Sequence, residues 1–212
     1  MATVLIIGAS RGIGLETVKA ALAAGHTVRA LARSAGSIDI NHANLQKITG
    51  NALSRSDVEA ALAGADVAIQ SVGVGSVRDL VFGTDLFSKS TQTLIDAMQT
   101  RGVRRLIAVT GAGAGNSRGR TNPLYDYVVF PLLLQRIYSD KDVAEEMIAA
   151  SKLDWTIVRP GGLTNGPRTG KWRALPDMRD WHLGFISRAD VADFLVSQIT
   201  DRSMIGKTPL LI

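Results

Sequence analysis

The chain has 212 residues, 46% of them hydrophobic and 20% charged, enough for one α/β domain with a full core. Its net charge of +5 comes from scattered Lys and Arg with no run beyond Arg104-Arg105, which argues against nucleic acid and suits a polyanionic small-molecule ligand. The absence of cysteine excludes disulfides, thiolate metal sites and a cysteine nucleophile, the three histidines lack ligand-like spacing, and no apolar stretch reaches membrane-spanning length. The first strand starts too early to leave room for a signal peptide, so a cytoplasmic protein is expected.

Thr3–Ile7 is a continuous apolar run with β-branched members, as in a strand buried on both faces. Gly8-Ala9-Ser10-Arg11-Gly12-Ile13-Gly14 follows at once, and a helix then runs to about Ala24, stopped by Gly25 as a C′ glycine. The next strand is His26–Ala32. This strand–glycine turn–helix–strand unit reads as a dinucleotide site. Its glycines serve a tight turn, close approach to a pyrophosphate, and packing of helix on strand, while the helix N-terminus offers free N–H groups to the phosphates. Arg33 stands where a domain of this type selective for NAD carries an acid, and an arginine there accommodates a 2′-phosphate. With Arg11 it can clamp that phosphate bidentately, Ser10 and Ser34 adding minor contacts, so NADP(H) is expected over NAD(H).

The alternation continues. A short strand spans 45–49, a helix 54–62 with Ser54 or Ser56 as N-cap, and a strand 65–70 ending in Ser71-Val72-Gly73. An amphipathic helix covers 86–100 and a strand 104–110, followed by the glycine-rich loop 111–119. A long helical stretch runs from about Tyr125 to Ser151, bent near Pro131. Trp155–Arg159 is a strand closed by Pro160-Gly161-Gly162; a helix N-capped by Ser187 spans 188–200, and a last strand 208–212. Regular alternation implies one doubly wound parallel sheet, Rossmann-like, with helices on both faces, over residues 1–212. Residues 163–186 are irregular and rich in Gly, Pro and Trp, and read as a substrate-side lid.

Gly8-x-x-x-Gly12-x-Gly14, Ser71-Val72-Gly73, Leu153-Asp154-Trp155-Thr156-Ile157-Val158-Arg159-Pro160-Gly161 and Ser187-Arg188-Ala189-Asp190-Val191-Ala192 together resemble the short-chain dehydrogenase/reductase superfamily. The last two segments resemble its atypical NAD(P)H-binding branch, which includes the biliverdin reductase B/flavin reductase type and the NmrA-like proteins. The resemblance implies that Asn51 and Ala52 lie near the adenine, although family members often carry an acid in place of Asn51. It implies that Ser71, Val72 and Gly73 run along the cofactor ribose and pyrophosphate. Pro160, Gly161, Gly162 and Leu163 would flank the nicotinamide. The family's catalytic set is a Ser or Thr after the fifth strand plus Tyr-x-x-x-Lys on the next helix. Thr110 and Lys141 match two of these, both also beside the cofactor, but Ile137 stands where the tyrosine belongs. Tyr138, three residues before the lysine, is a substitute on a different azimuth, and Tyr125 and Tyr127 are others. The alternative for Lys141 is a surface pair with Glu145.

The missing tyrosine bears on chemistry. A simple carbonyl needs a fixed acid for its developing alkoxide, whereas a flavin, quinone or linear tetrapyrrole spreads the charge itself. The expectation is an NADPH-dependent oxidoreductase that passes hydride to a conjugated acceptor, with Thr110 donating a hydrogen bond to it. Candidate pocket walls are the 111–115 loop, Tyr125, Tyr127, Leu163, Trp172 and Trp181, while Trp155 reads as core. The 111–115 loop reads as mobile or as a second phosphate cradle, with Arg118 and Arg120 at its tip open to an anionic substrate. The alternatives are an NmrA-like redox sensor that binds dinucleotide without turnover, and carbonyl or sugar-nucleotide chemistry with Tyr138 as acid. The physiological acceptor and the oligomeric state are left open.

Overall fold

The computed structural model describes residues 1–74, 83–115, 135–182 and 184–212. The central strand β1 (Thr3–Ile7) is almost wholly apolar because both its faces are covered. In β1, Val4 and Ile6 enter one core cluster and Leu5 and Ile7 the other. The first cluster is closed by α1 (Gly12–Ala23) and α5 (Arg188–Ser197), through Val18, Ala21, Leu22, Val191, Phe194 and Leu195. The second is closed by α2 (Arg55–Ala61), α3 (Leu86–Arg101) and α4 (Gln135–Ala150), through Val58, Leu94, Met98 and Ile148.

The remaining strands are β2 (Thr27–Ala32), β3 (Leu45–Thr49), β4 (Val67–Gln70), β5 (Arg105–Val109), β6 (Asp154–Pro160), β7 (Gly162–Thr164), β8 (Ala174–Leu175), β9 (Phe185–Ser187) and β10 (Leu210–Leu211). The main sheet runs β3-β2-β1-β4-β5-β6-β10-β8, parallel except for the last pair, and β7 and β9 form a separate parallel pair. The order reverses between β1 and β4, so the crevice beyond their carboxyl ends is where an open α/β sheet binds its ligand. The doubly wound expectation therefore holds.

Boundaries follow local chemistry. Gly25 ends α1 with a φ of +80°, and Ser54 and Ser187 cap α2 and α5 by accepting from Asp57 N–H and Asp190 N–H. α3 is capped from a distance: Asp140 of α4 accepts from Phe87 N–H at 2.7 Å and Ser88 N–H at 3.3 Å. The segment expected to form a lid contains one strand of the main sheet. Residues 174–175 join the main sheet as an antiparallel edge, which no periodicity announces in a two-residue strand.

Candidate functional site

The glycine turn sits at the switch point, and its glycines answer to different constraints. Gly8 has a φ of +83°, and a Cβ there would lie 2.3 Å from the Ser71 carbonyl oxygen, so this glycine lets β1 and the end of β4 meet. A Cβ on Gly14 would lie 2.1 Å from the Gly8 carbonyl oxygen, so Gly14 lets α1 start against the strand it leaves. Gly12 has a φ of +58° but open space around it, the nearest atom being Arg188 Nε at 4.0 Å from its would-be Cβ. That is the place for a ligand's close approach. Arg11 is the N-cap of α1 and makes no side-chain cap, so no side chain competes for the first N–H groups from Gly12, Ile13 and Gly14.

Ser34 donates to Ser10 at 3.1 Å, joining the end of β2 to the turn. The adjacent Arg11 and Arg33 are exposed and have no ion-pair partner among the described residues. Ser71, Val72 and Gly73 follow β4, with Ser71 N–H donating to Ile7 at 2.9 Å. Asn51 Oδ1 accepts from Leu53 N–H at 3.1 Å, and Ala52 packs against the second core cluster.

The other half of the site is a side-chain network at the end of β5. Thr110 uses its N–H on Val158 at 3.0 Å, receives Lys141 Nζ on its carbonyl at 2.8 Å, and donates its hydroxyl to Glu145 Oε1 at 2.6 Å. Glu145 is buried and bidentate with the equally buried Arg159, whose Nε and Nη2 lie 3.1 and 2.5 Å from Oε1 and Oε2. Glu145 thus pairs with Arg159 rather than with Lys141. The Thr110 hydroxyl, expected to donate to an acceptor, here donates to Glu145. The Glu145–Arg159 pair is not legible in the sequence, because charges 14 residues apart carry no local signal of pairing.

Lys141 Nζ lies 4.7 Å from the Tyr138 ring centroid and 5.0 Å from that of Phe87. Burial pushes its pKa down from 10.5 to about 8, against the opposing pull of Glu145. The Tyr138 hydroxyl is 2.8 Å from where a Cβ of Gly111 would stand, so Tyr138 and Lys141 meet at the mouth of the loop. Ile137 is 3% exposed and packs with Phe87 and Ala144.

The 111–115 loop is neither a second cradle nor open. Ala112 N–H donates to Pro160 at 2.9 Å, Ala114 N–H to Gly111 at 3.1 Å and Gly115 N–H to Asp142 Oδ1 at 2.6 Å. A Cβ on Gly115 would lie 2.5 Å from Arg159 Nη2 and 2.7 Å from Glu145 Oε2, so the loop closes over the ion pair. Its glycines answer to packing.

On the lid side, Gly161 and Gly162 admit Gly184 and the Phe185 ring, as a Cβ on Gly161 would lie 2.5 Å from the Gly184 carbonyl oxygen. Leu163 and Phe185 are exposed. Trp181 lies 5.5 Å from the Arg159 guanidinium, and its Nε1 donates to Leu175 at 2.8 Å. Trp172 is turned to the core, edge-on to Phe194 at 4.9 Å and bonded to Asp193. Arg188 was named within a motif but given no role. It sits beside Gly12 and donates to Thr164 and Asn165, linking the turn to β7. Tyr125, Tyr127, Pro131 and the loop tip 116–120 lie outside the described residues. Among the described residues no helix is long and apolar enough to cross a membrane, and no group of His, Cys, Asp or Glu side chains suits a metal ion.

Residues 8–202 match the NAD(P)H-binding family. The chain belongs to that family. It is 30% identical over 207 residues to the uncharacterized sugar epimerase YhfK of Bacillus subtilis (strain 168), covering 94% of this chain and 89% of that one. It is similar to ChuY, an anaerobillin reductase from Escherichia coli O157:H7, with 29% identity and a TM-score of 0.75 over 99% of this chain and 96% of that one. A short-chain dehydrogenase/reductase of the wide type from Veillonella parvula DSM 2008, in complex with NADP, shares the fold with a TM-score of 0.82 at 18% identity, covering 99% and 94% of the two chains. The family match makes a nicotinamide dinucleotide the ligand of this chain, and the structural likenesses show that it shares the Rossmann-like fold of NAD(P)-binding proteins. The glycine turn fits that ligand: the N–H groups at the start of α1 carry no side-chain cap, and the space at Gly12 is clear.

Proposed function

We propose that this protein is a cytoplasmic NADPH-dependent reductase that passes hydride to a conjugated small-molecule acceptor such as a flavin, quinone or linear tetrapyrrole. The observation that carries the reading is the state of the family's tyrosine position: Ile137 is buried in a packed cluster, so no fixed acid stands there. An acceptor that delocalises its own charge needs positioning more than protonation. NADPH supplies a hydride from its nicotinamide ring when bound. The chain's residues then bind and orient. Gly8, Gly12, Ile13 and Gly14 hold the pyrophosphate, and Arg11, Arg33, Ser10 and Ser34 hold the 2′-phosphate. Asn51 and Ala52 lie by the adenine, and Ser71, Val72 and Gly73 along the ribose. Pro160, Gly161, Gly162 and Leu163 would flank the nicotinamide, and Lys141 and Thr110 would lie beside the cofactor. Residues 163–186 form the lid. The reductase named among the structural neighbours supports the class of reaction.

The test is NADPH oxidation at 340 nm with flavins, quinones, biliverdin and simple aldehydes, NADH alongside. Turnover with a conjugated acceptor and weak use of NADH supports the reading. Tight NADPH binding with no oxidation by any acceptor moves it to an NmrA-like sensor. One observation favours a second catalytic reading. Tyr138 meets Lys141 at Gly111, a pairing that suits carbonyl or sugar-nucleotide chemistry, and a relative is named a sugar epimerase. On that reading Tyr138→Phe lowers kcat by roughly a hundredfold or more; on the first it changes kcat little.

A further inference from the structure

We infer that Arg188 binds the pyrophosphate of the dinucleotide, and that through this one guanidinium the bound cofactor fixes the start of the segment that follows β7. The inference rests on the family's ligand and goes beyond the reductase reading, since it holds whatever the acceptor.

Arg188 is the first residue of α5, and a cation is out of place there. A helix begins at the positive end of its dipole, so its first turn favours an acid and opposes a base. Asp190 is the acid of that turn, but its carboxylate is engaged elsewhere, by Thr169 N–H at 2.7 Å, the Thr169 hydroxyl at 2.9 Å and Gly170 N–H at 2.8 Å. α5 packs beside α1 in the first core cluster. With Arg188 Nε 4.0 Å from the position of a Gly12 Cβ, the starts of the two helices lie together. Two positive helix ends and a half-buried guanidinium therefore converge, and no carboxylate pairs with that guanidinium among the described residues. Like charge gathered in this way is unfavourable until an anion joins it, and local rules are broken in this manner where a ligand binds.

The bonds that the guanidinium already makes set where the anion goes. Nη1 uses its hydrogens on the Thr164 carbonyl at 3.2 Å and Asn165 Oδ1 at 2.7 Å. The edge formed by Nε and Nη2 has no partner among the described residues, and its Nε is the atom that stands by Gly12. That edge is a planar fork suited to two oxygens of one phosphate. Gly12 is the glycine at which a turn of this kind lets the main chain approach the pyrophosphate. One edge of Arg188 thus meets the phosphate while the opposite nitrogen holds Thr164 and Asn165. Beyond them the segment is anchored to α5 separately, through Asp190 and through the Arg168–Asp193 ion pair, so Arg188 governs its near end.

Fluorescence titration with NADPH and with NADH tests the phosphate contact without turnover. Arg188→Met should weaken both by a similar factor, about tenfold, the size of one charge-assisted bond, because the pyrophosphate is common to the two cofactors. The gap between wild type and variant should narrow with added salt, as a lost charge–charge contact does. Arg188→Lys, which keeps the charge and lacks the fork, should recover part of the loss. Tryptic cleavage after Arg168, an exposed side chain, reads the link to the segment. Saturating NADP should slow it in the wild type and not in Arg188→Met. Unchanged affinities overturn the inference, and so does a loss confined to NADPH, which would place Arg188 at the 2′-phosphate. A loss that salt leaves untouched and that comes with a lower melting temperature without cofactor also overturns it, since the residue would then act on the fold. Equal protection by NADP in both proteins removes the link to the segment. A wild type that binds neither dinucleotide fails the ligand assignment itself, whereas a protein that binds both and reduces no acceptor fails only the reductase reading.

Discussion

The turn at residues 8–14 and the cluster around Thr110 do neighbouring jobs by opposite means. The turn works through main chain: positive φ at Gly8 and Gly12, a missing Cβ at Gly8 and Gly14, and uncapped N–H groups at the start of α1. The cluster works through side chains drawn from β5, α4 and β6 and locked by a buried ion pair. A main-chain site accepts any ligand with the right phosphates, so it suits a cofactor common to many enzymes. A side-chain site has a polarity of its own, so it can choose a substrate.

The comparison is broken most severely at Gly8. Gly8→Ala puts a Cβ 2.3 Å from the Ser71 carbonyl oxygen at a φ of +83°. Strain and overpacking together should cost roughly 4 kcal/mol. Thermal unfolding should show that loss, and NADPH fluorescence titration should show no binding. Retained binding would mean that the turn yields, and that its close approach to β4 is incidental.

The same contrast explains what the sequence made legible. The turn is encoded in seven consecutive residues whose spacing has one good physical reading, and the apolar run Thr3–Ile7 before it reports burial on both faces. The sheet order follows, because alternating strands and helices admit few topologies. The Thr110 cluster was half legible. Thr110 and Lys141 were found by position in the chain, but Glu145 and Arg159 pair through space, and nothing in the string says that they are buried. The 111–115 glycines misled for the same reason. A glycine-rich run signals close approach without saying to what, and here the neighbours are Tyr138, Glu145 and Arg159. Ala174–Leu175 escaped because a two-residue edge strand has no period.

Within the cluster the next effect is at Glu145. Glu145→Ala removes the carboxylate that both Arg159 and Thr110 bond and should destabilise by about 3 kcal/mol, read from urea unfolding. Adding Arg159→Met should recover much of that loss, since most of the cost lies in the lost ion pair. A double variant no better than the single one would place the stability in packing of the loop over the pair. On the turn side, Arg33→Ala should weaken NADPH binding about tenfold and leave NADH unchanged, if its guanidinium meets a 2′-phosphate. Equal losses for both cofactors would remove Arg33 from that role.

The smallest expected effect sharpens the comparison by pH. Lys141 has its pKa lowered from 10.5 to about 8 by burial. Below about pH 8 its ammonium is charged in both native and unfolded chains, and the native state bears the full cost of burying it. Between about 8 and 10.5 the native lysine has lost its proton while the unfolded one keeps it. The unfolded chain then binds more protons, so this residue's contribution to stability rises with pH across that window and falls away as pH drops through about 8. Lys141→Met removes the titration. The stability of the wild type relative to this variant should therefore increase by roughly 1 kcal/mol between pH 7 and about pH 9, with other titrations cancelling in the difference. A flat difference for Lys141→Met would mean that its amine stays solvated, and that the cluster is more open than the Thr110 carbonyl bond at 2.8 Å implies.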